Sequence, residues 1–412
     1  MKKTFRNLVF VFLAIELFII IVLLVNIFDG FFIDKNLRCH DCNVLFITTD
    51  SLRADHVGAY GYYRNTTPTI DSLAEKGLLF QNFITPSSIT FISLPTMIAG
   101  TNGQLVSLDQ GAYMLVRNDF ITLPEALSKH NYTSFGVINN DISFTNVLKG
   151  FNHTGVFDAE HDGLITNHSI KLLRQKPSDK FFMWIHYWVP HSPYNPPIPY
   201  NKYFEFNDSP EILSSEEVSD HAFIGNHSRE FYIAQYDGYI RFIDSEINKL
   251  LGFLKENNLY ENTLIILSSD HGEILTERKP YFVHGSLYDT DIHAPLIIFH
   301  PGMKESRVVR PQVRGIDIYP TIMDFLGLEY PSSIQGKSFY NSIIKDNYHE
   351  RTAFMRTDEF RVYGFRNSDW KYIYPNELYN LRDDSEETNN LFGTINLNET
   401  NLNIPEELLS KS

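Results

Sequence analysis

The sequence predicts a layered α/β domain, and three observations support this. Short apolar, β-branched runs recur along the chain: NVLFITT, YTSFGVIN, KFFMWIHYW, TLIILSS and APLIIF. Segments with helical spacing separate them, the longest being EFYIAQYDGYIRFIDSEINKLLGFLKEN. Alternation of this kind builds a sheet with helices packed on its faces. The first run also ends in a carboxylate, Asp50, and open parallel sheets place their chemistry at the C-terminal ends of their strands. With 412 residues, 14% of them aromatic and 21% charged, the chain can bury a large core. Its formal charge of −15 argues against general nucleic-acid binding, which needs clustered Lys and Arg.

Taken in order, residues 1–7 form a short basic tail with Lys2, Lys3 and Arg6. Leu8–Phe28 is almost wholly apolar, interrupted by Glu16, and as a helix would span the ~30 Å hydrocarbon core of a bilayer. The positive charges before it place the N-terminus in the cytoplasm. No small-x-small cleavage site follows, so the segment is expected to be an uncleaved anchor with the rest of the chain outside the cytoplasm. A polar neck, 29–42, holds both cysteines, Cys39 and Cys42, in LRCHDC. In an exported domain such a pair can close a small disulfide loop, and CHDC supplies too few ligands for zinc. The main domain is expected over 43–346. Within it TPTIDSLAEKG reads as a helix capped by Thr69 and stopped at Gly77. Beyond it, RTAFMRTDEFRVYGFRNSDWKYIYP reads as short aromatic strands, a small antiparallel appendage over 347–395 before a polar tail, 396–412.

Three segments carry unusual polar groups. ITTDSLRAD places Asp50 at a strand end, and SSDHGE places Asp270 beside His271 after a buried strand. SSITFISLPTMIAGT studs an apolar helix-like run with hydroxyls. His191 in WVPHSPYNPP and His284 in FVHGSLYD stand in tight settings of their own. Singly, each has a bland reading: Asp50 as a turn cap, His191 as a loop histidine, the hydroxyl run as a buried helix. Adjacent Asp and His followed by glycine are harder to explain by packing, and carboxylates with neutral imidazole suit a divalent cation.

In order along the chain, NVLFITTDSLRADHVGAYGYYRNTTPTIDSLAEKGLLFQNF, WIHYWVPHSPYNPP, SSDHGE, HGSLYDTDIHAPLIIFHPG, GIDIYPTIMDFLGL and WKYIYPNELYNLRDDSEETNNL resemble the sulfatase-like branch of the alkaline phosphatase superfamily. The resemblance runs from about Asn43 to Leu391. It implies an α/β/α sandwich with a central, mostly parallel sheet, a small C-terminal sheet and a metal at the strand ends. Carried over by position, the metal ligands fall on Asp50, Asp270 and His271 together with the nucleophile. Many sulfatases have a second acid after the first, but Ser51 stands there. The poorer oxygen shell favours one divalent ion, Mn or Zn, with Ca or Mg as alternatives.

Sulfatases carry Cys or Ser, any residue, then Pro-Ser-Arg, with a glycine shortly after. Counting back from Gly100 lands on Thr90; Ser93 keeps the family serine, while Ile92 and Leu94 replace the proline and arginine. A threonine at this position resembles the phosphoethanolamine transferases and lipoteichoic-acid-type synthases, which share the spacing of Thr90, Ser93 and Pro95. Their metal set, acid, Thr, Asp and His, maps onto Asp50, Thr90, Asp270 and His271. His191 and His284 match positions that contact the transferred group or protonate the leaving oxygen. The expectation is a membrane-anchored, metal-dependent hydrolase or phosphotransferase. It would act through a covalent Thr90 ester on an exported phosphate or sulfate ester of a glycan or lipid head group. The competing expectation is an inactive relative serving as a scaffold. Loss of the proline and arginine suits that reading, and retention of all the polar positions opposes it.

Overall fold

The computed structural model describes residues 37–404 apart from 102–105, 109–112, 159–161, 176–179, 207–210 and 358–361. The expected anchor, 8–28, lies outside the described residues. Among those described, no helix is long and apolar enough to cross a membrane.

The chain opens with β1 (Asn43–Thr49) and β2 (Leu78–Ile84), then a separate hairpin of β3 (Val106–Leu108) and β4 (Tyr113–Leu115). It continues through β5 (Thr133–Asn139), β6 (His153–Phe157), β7 (Phe181–Tyr187), β8 (Thr263–Ser269), β9 (His293–Phe299), β10 (Arg307–Val309) and β11 (Val313–Arg314). The main sheet has the order β10-β2-β9-β8-β1-β7-β5-β6, with β11 also pairing β2. Only β9 runs antiparallel to its neighbours, so the expected mostly parallel sheet is observed.

β1 is buried at every position, as a strand covered on both faces must be. Its side chains alternate between two cores: Leu45 and Ile47 enter one, Val44 and Phe46 the other. The first core is completed by α1 (Pro68–Ala74), and the second by α2 (Thr90–Ala99) and α3 (Leu123–Ser128). Next along the chain, α4 (Asp162–Arg174) and α5 (Arg229–Glu256) pack on the α1 face. After the short α6 (Asp289–Ile292), α7 (Ile318–Leu326) and α8 (Tyr340–Lys345) pack on the α2 face.

The cap expected of Thr69 falls elsewhere. α1 starts at Pro68, whose fixed φ and missing N–H suit the first helical position, so Thr67 occupies the N-cap. The free N–H groups of Thr69 and Ile70 instead donate to the Asp244 carboxylate of α5, at 2.9 and 3.0 Å. A carboxylate from another helix thus does the work assigned to a local hydroxyl.

Cys39 and Cys42 form a disulfide directly before β1. The Cys39 N–H donates to the Phe325 carbonyl, and the Tyr132 hydroxyl to that of Cys42. At the other end of the chain, β12 (Ala353–Arg356), β13 (Tyr363–Arg366), β14 (Trp370–Ile373) and β15 (Glu377–Asn380) make the small antiparallel sheet. It is fastened to α6 by charge: Asp289 bonds Arg366 and Lys371, and Lys371 also meets Glu387.

The long helix α5 is pinned to the loop after β1. The Tyr236 hydroxyl donates to the Ser51 carbonyl at 2.7 Å and accepts the Arg53 N–H at 3.1 Å. Next to it, Asp237 accepts from Tyr62 and Arg64 and pairs with His56. Tyr236→Phe would leave a buried carbonyl and a buried N–H without partners. Urea titration should show a loss of about 1–3 kcal/mol of unfolding free energy; an unchanged midpoint would contradict this role for Tyr236.

Candidate active site

The site follows from strand register. β1 pairs in parallel with β7 and β8, placing Thr48 opposite His186 and Thr49 opposite Ser269. One step further, Asp50 and Asp270 emerge side by side at the C-terminal edge of the sheet. Their N–H groups continue the ladder to Tyr187 and Thr49. Ser51, held at φ 65°, turns the chain back over this edge. Its N–H donates to Asp270 Oδ1 and its hydroxyl to Asp50 Oδ1, so it orients both acids. A non-glycine residue in the left-handed region costs of order ~1–3 kcal/mol and is tolerated where surrounding bonds hold it.

Thr90 is the first residue of α2. Ile89 before it is extended, and its N–H bonds the Ser87 hydroxyl, so the helix begins facing the sheet edge. One turn in, the Ser93 hydroxyl donates to the Asp270 carbonyl at 2.6 Å, tying helix to strand. Gly100, at φ 62°, terminates the helix in a conformation suited to glycine. Thr90 Oγ1 therefore lies 3.2 Å from Asp50 Oδ2 and 3.1 Å from His271 Nε2. His271 Nε2 is in turn 3.5 Å from Asp50 and 3.6 Å from Asp270. The four residues expected to hold a metal thus converge.

His271 turns an unprotonated nitrogen toward this group. Its Nδ1 sits 2.7 Å from the Gly272 carbonyl, an acceptor only, so Nδ1 carries the proton and Nε2 offers a lone pair. Burial and the neighbouring His284 drive its pKa down to about 3. Burial and the Asp270 charge push Asp50 well above the carboxylate range, and burial raises Asp270. Asp270 Oδ2 and the His186 Nε2 are buried with no hydrogen-bond partner. Two orphaned donor atoms among crowded acids and neutral imidazoles fit a bound divalent cation.

His186 joins this group. Its Nε2 is 4.0 Å from Asp50, and Asp50, His186 and Asp270 each offer a ligand atom within 4.8 Å of the others. Sequence reading missed it by treating KFFMWIHYW only as a strand. The available signal was a lone imidazole near the C-terminal end of an otherwise apolar run.

Two further histidines close the site. The His191 and His284 rings lie 5.0 Å apart, and the His284 ring lies 4.6 Å from that of His271. His191 donates Nδ1–H to its neighbour's carbonyl, that of Ser192. Burial and His284 lower its pKa to about 3, keeping it neutral. His284 goes the other way. Burial opposes its charge, but Glu273, 3.5 Å away, outweighs burial and raises it. Glu273 is itself fully buried and accepts from the Tyr194 hydroxyl. Its place three residues after Asp270 in SSDHGE was the unread clue. A cavity of about 520 Å³ opens over this group, with Asp50, Thr90, His191, Glu273 and His284 in its wall. Ile92 and Leu94, at the proline and arginine positions of the sulfatase pattern, are buried in the packing under α2.

The fold is an α/β/α sandwich in which a hydroxyl, carboxylates and imidazoles meet at the strand ends. Residues 42–328 match the sulfatase family, and residues 278–412 match the C-terminal region of N-sulphoglucosamine sulphohydrolase. The chain belongs to the sulfatase family. It is similar to an arylsulfatase of Clostridium perfringens, 29% identical over 47% of this chain and 42% of that enzyme's length. It is also similar to human arylsulfatase K, 24% identical over 85% of this chain and 78% of that protein. Among solved structures, one of a protein in complex with its substrate D-glucosamine-2-N,6-O-disulfate superposes with a TM-score of 0.72 at 19% identity. It covers 90% of this chain and 96% of that one. That likeness shows the fold.

The acid pair makes a prediction about metal removal. Folded-state carboxyls raised above their unfolded value bind more protons in the native state, so the metal-free protein loses stability as pH rises from about 4. A cation bound to the ionised acids reverses this. The gain in Tm on adding Mn²⁺ to EDTA-treated protein should grow from pH 4 towards neutrality. A gain independent of pH would contradict the assignment.

Proposed function

We propose that the chain hydrolyses sulfate or closely related esters outside the cytoplasm, with Thr90 as nucleophile. The observation that carries this reading is the Thr90 hydroxyl lying within hydrogen-bond reach of both Asp50 and His271 at the sheet edge. Asp50, Thr90, Asp270 and His271 would hold one divalent ion, Mn or Zn by their donor types, with His186 as a further nitrogen donor. Such an ion, when bound, lowers the pKa of the hydroxyl and offsets charge on the ester oxygens.

Thr90 Oγ1 would release its proton to solvent and attack sulfur, forming a Thr90 ester as the bond to the substrate's alcohol oxygen breaks. The departing oxygen needs a proton. The opposed shifts of the two histidines favour His284, held charged by Glu273, over the neutral His191 as its source. Water then cleaves the Thr90 ester and returns the enzyme. The same steps describe phosphoryl transfer, and an alcohol in place of water would make a transferase; the sulfatase relatives favour hydrolysis of sulfate esters. The sugar in the glucosamine-disulfate complex supports a glycan ester, here one bearing a single sulfate.

For location, the apolar segment 8–28 behind Lys2, Lys3 and Arg6 supports a single membrane anchor. A cysteine pair joined as a disulfide suits an oxidising compartment. Residues 43–346 would form the catalytic domain and 347–395 its appendage.

Thr90→Ala should abolish turnover of 4-nitrophenyl sulfate, while Thr90→Ser, keeping the hydroxyl, should retain part of it. Intact-mass measurement on wild-type protein quenched during turnover of 4-nitrophenyl sulfate should find a substituted Thr90; full activity in Thr90→Ala would overturn the nucleophile. If His284 is the acid, His284→Ala should cost ~10²–10⁴-fold on an alkyl sulfate. It should cost far less on 4-nitrophenyl sulfate, whose leaving oxygen needs little help. The wild-type rate on the alkyl ester should fall as pH rises through the raised His284 pKa. Equal losses on both esters would exclude this role.

A further inference from the structure

Resting on that hydrolytic reading, we infer that the cavity selects esters carrying a single negative charge and an uncharged leaving group with an apolar face. None of the described residues lining the cavity is lysine or arginine. The family's arginine position is Leu94, buried in the core beneath α2. Arg53 does reach this region, but its guanidinium bonds the backbone carbonyl of Glu273 and is paired with Asp55 and Glu277, behind the wall. The basic side chains in the wall are therefore confined to imidazoles, those of His191, His221 and His284, of which His191 is neutral. Against them stand the carboxylates of Asp50 and Glu273, with Asp270 beside Asp50.

The positive charge at hand would be that of a divalent ion at the sheet edge, beside Asp50 and Asp270 and at the ester's reacting end. The ester's own negative charge would lie against that ion. A second anion on the leaving group would meet a wall of Ile89, Phe91, Ile142, Trp188, Phe282 and Val283. There it loses its water and finds no cationic partner. The same side chains reward a leaving group that presents an apolar ring face, as most small-molecule sites do. Discrimination thus arises from a repulsive element as much as from an attractive one.

The test uses a matched pair, 4-(methoxycarbonyl)phenyl sulfate and 4-carboxyphenyl sulfate, which differ by one charge far from sulfur. With Mn²⁺-loaded wild-type protein, kcat/KM should favour the methyl ester by at least ~10-fold. Calorimetry on Thr90→Ala should show the same order of affinity without turnover. Phe91→Lys, on a partly exposed position of the wall, should narrow the preference by improving the carboxylate. Equal affinities, or no binding of either probe, would overturn the inference. A preserved affinity ratio with no hydrolysis of either ester would uphold it while refuting the hydrolytic reading.

Discussion

The parallel pairing of β1 between β7 and β8 is the constraint on which the site depends. Side chains in a strand alternate faces with a period of two, so a slip of one residue would send Thr48, Asp50 and their partners to the wrong layers. In the observed register the two acids leave the sheet together, with His186 one strand away. Everything else serves to meet them there. α2 brings Thr90 down onto Asp50, and the Ser93 bond to the Asp270 carbonyl keeps that approach from drifting.

Holding Asp50 and Asp270 together in a dry place opposes folding, because no lysine or arginine among the described residues pairs with either acid. The structure accommodates this with neutral donors: the Ser51 N–H and hydroxyl, the His271 N–H and the Thr90 hydroxyl. Neutral donors orient a carboxylate without cancelling its charge, which leaves that charge available to a cation. The strained backbone at Ser51 belongs to the same arrangement. Helix α5 supports it from behind through Tyr236, so a residue far along the chain helps set the acid geometry.

Much of this was legible in the sequence because the residues concerned sit at strand ends in short, ordered motifs. The apolar run closing on Asp50, the adjacent Asp270 and His271, and the Gly100 stop that counts back to Thr90 all depend on local spacing. What escaped depends on pairing across the fold. His186 gains meaning only when β7 lies beside β1. The different behaviour of His191 and His284 requires knowing that Glu273 faces one more closely than the other. Local spacing points to Thr69 as a cap because the carboxylate that satisfies its helix, Asp244, lies 175 positions away. Local chemistry reads from spacing; electrostatic environment does not.

The disulfide at the neck has a mechanical consequence. Cys42 is followed at once by β1, and that strand runs straight to Asp50, so the neck and the reacting edge are the two ends of one rod ~23 Å long. The rod lies in the middle of the sheet, gripped along its length by β7 and β8. A pull applied at the neck would load those ladders in shear, where many hydrogen bonds must yield together. Whatever grips the chain at its neck therefore meets the sheet at the edge opposite the one that carries Asp50.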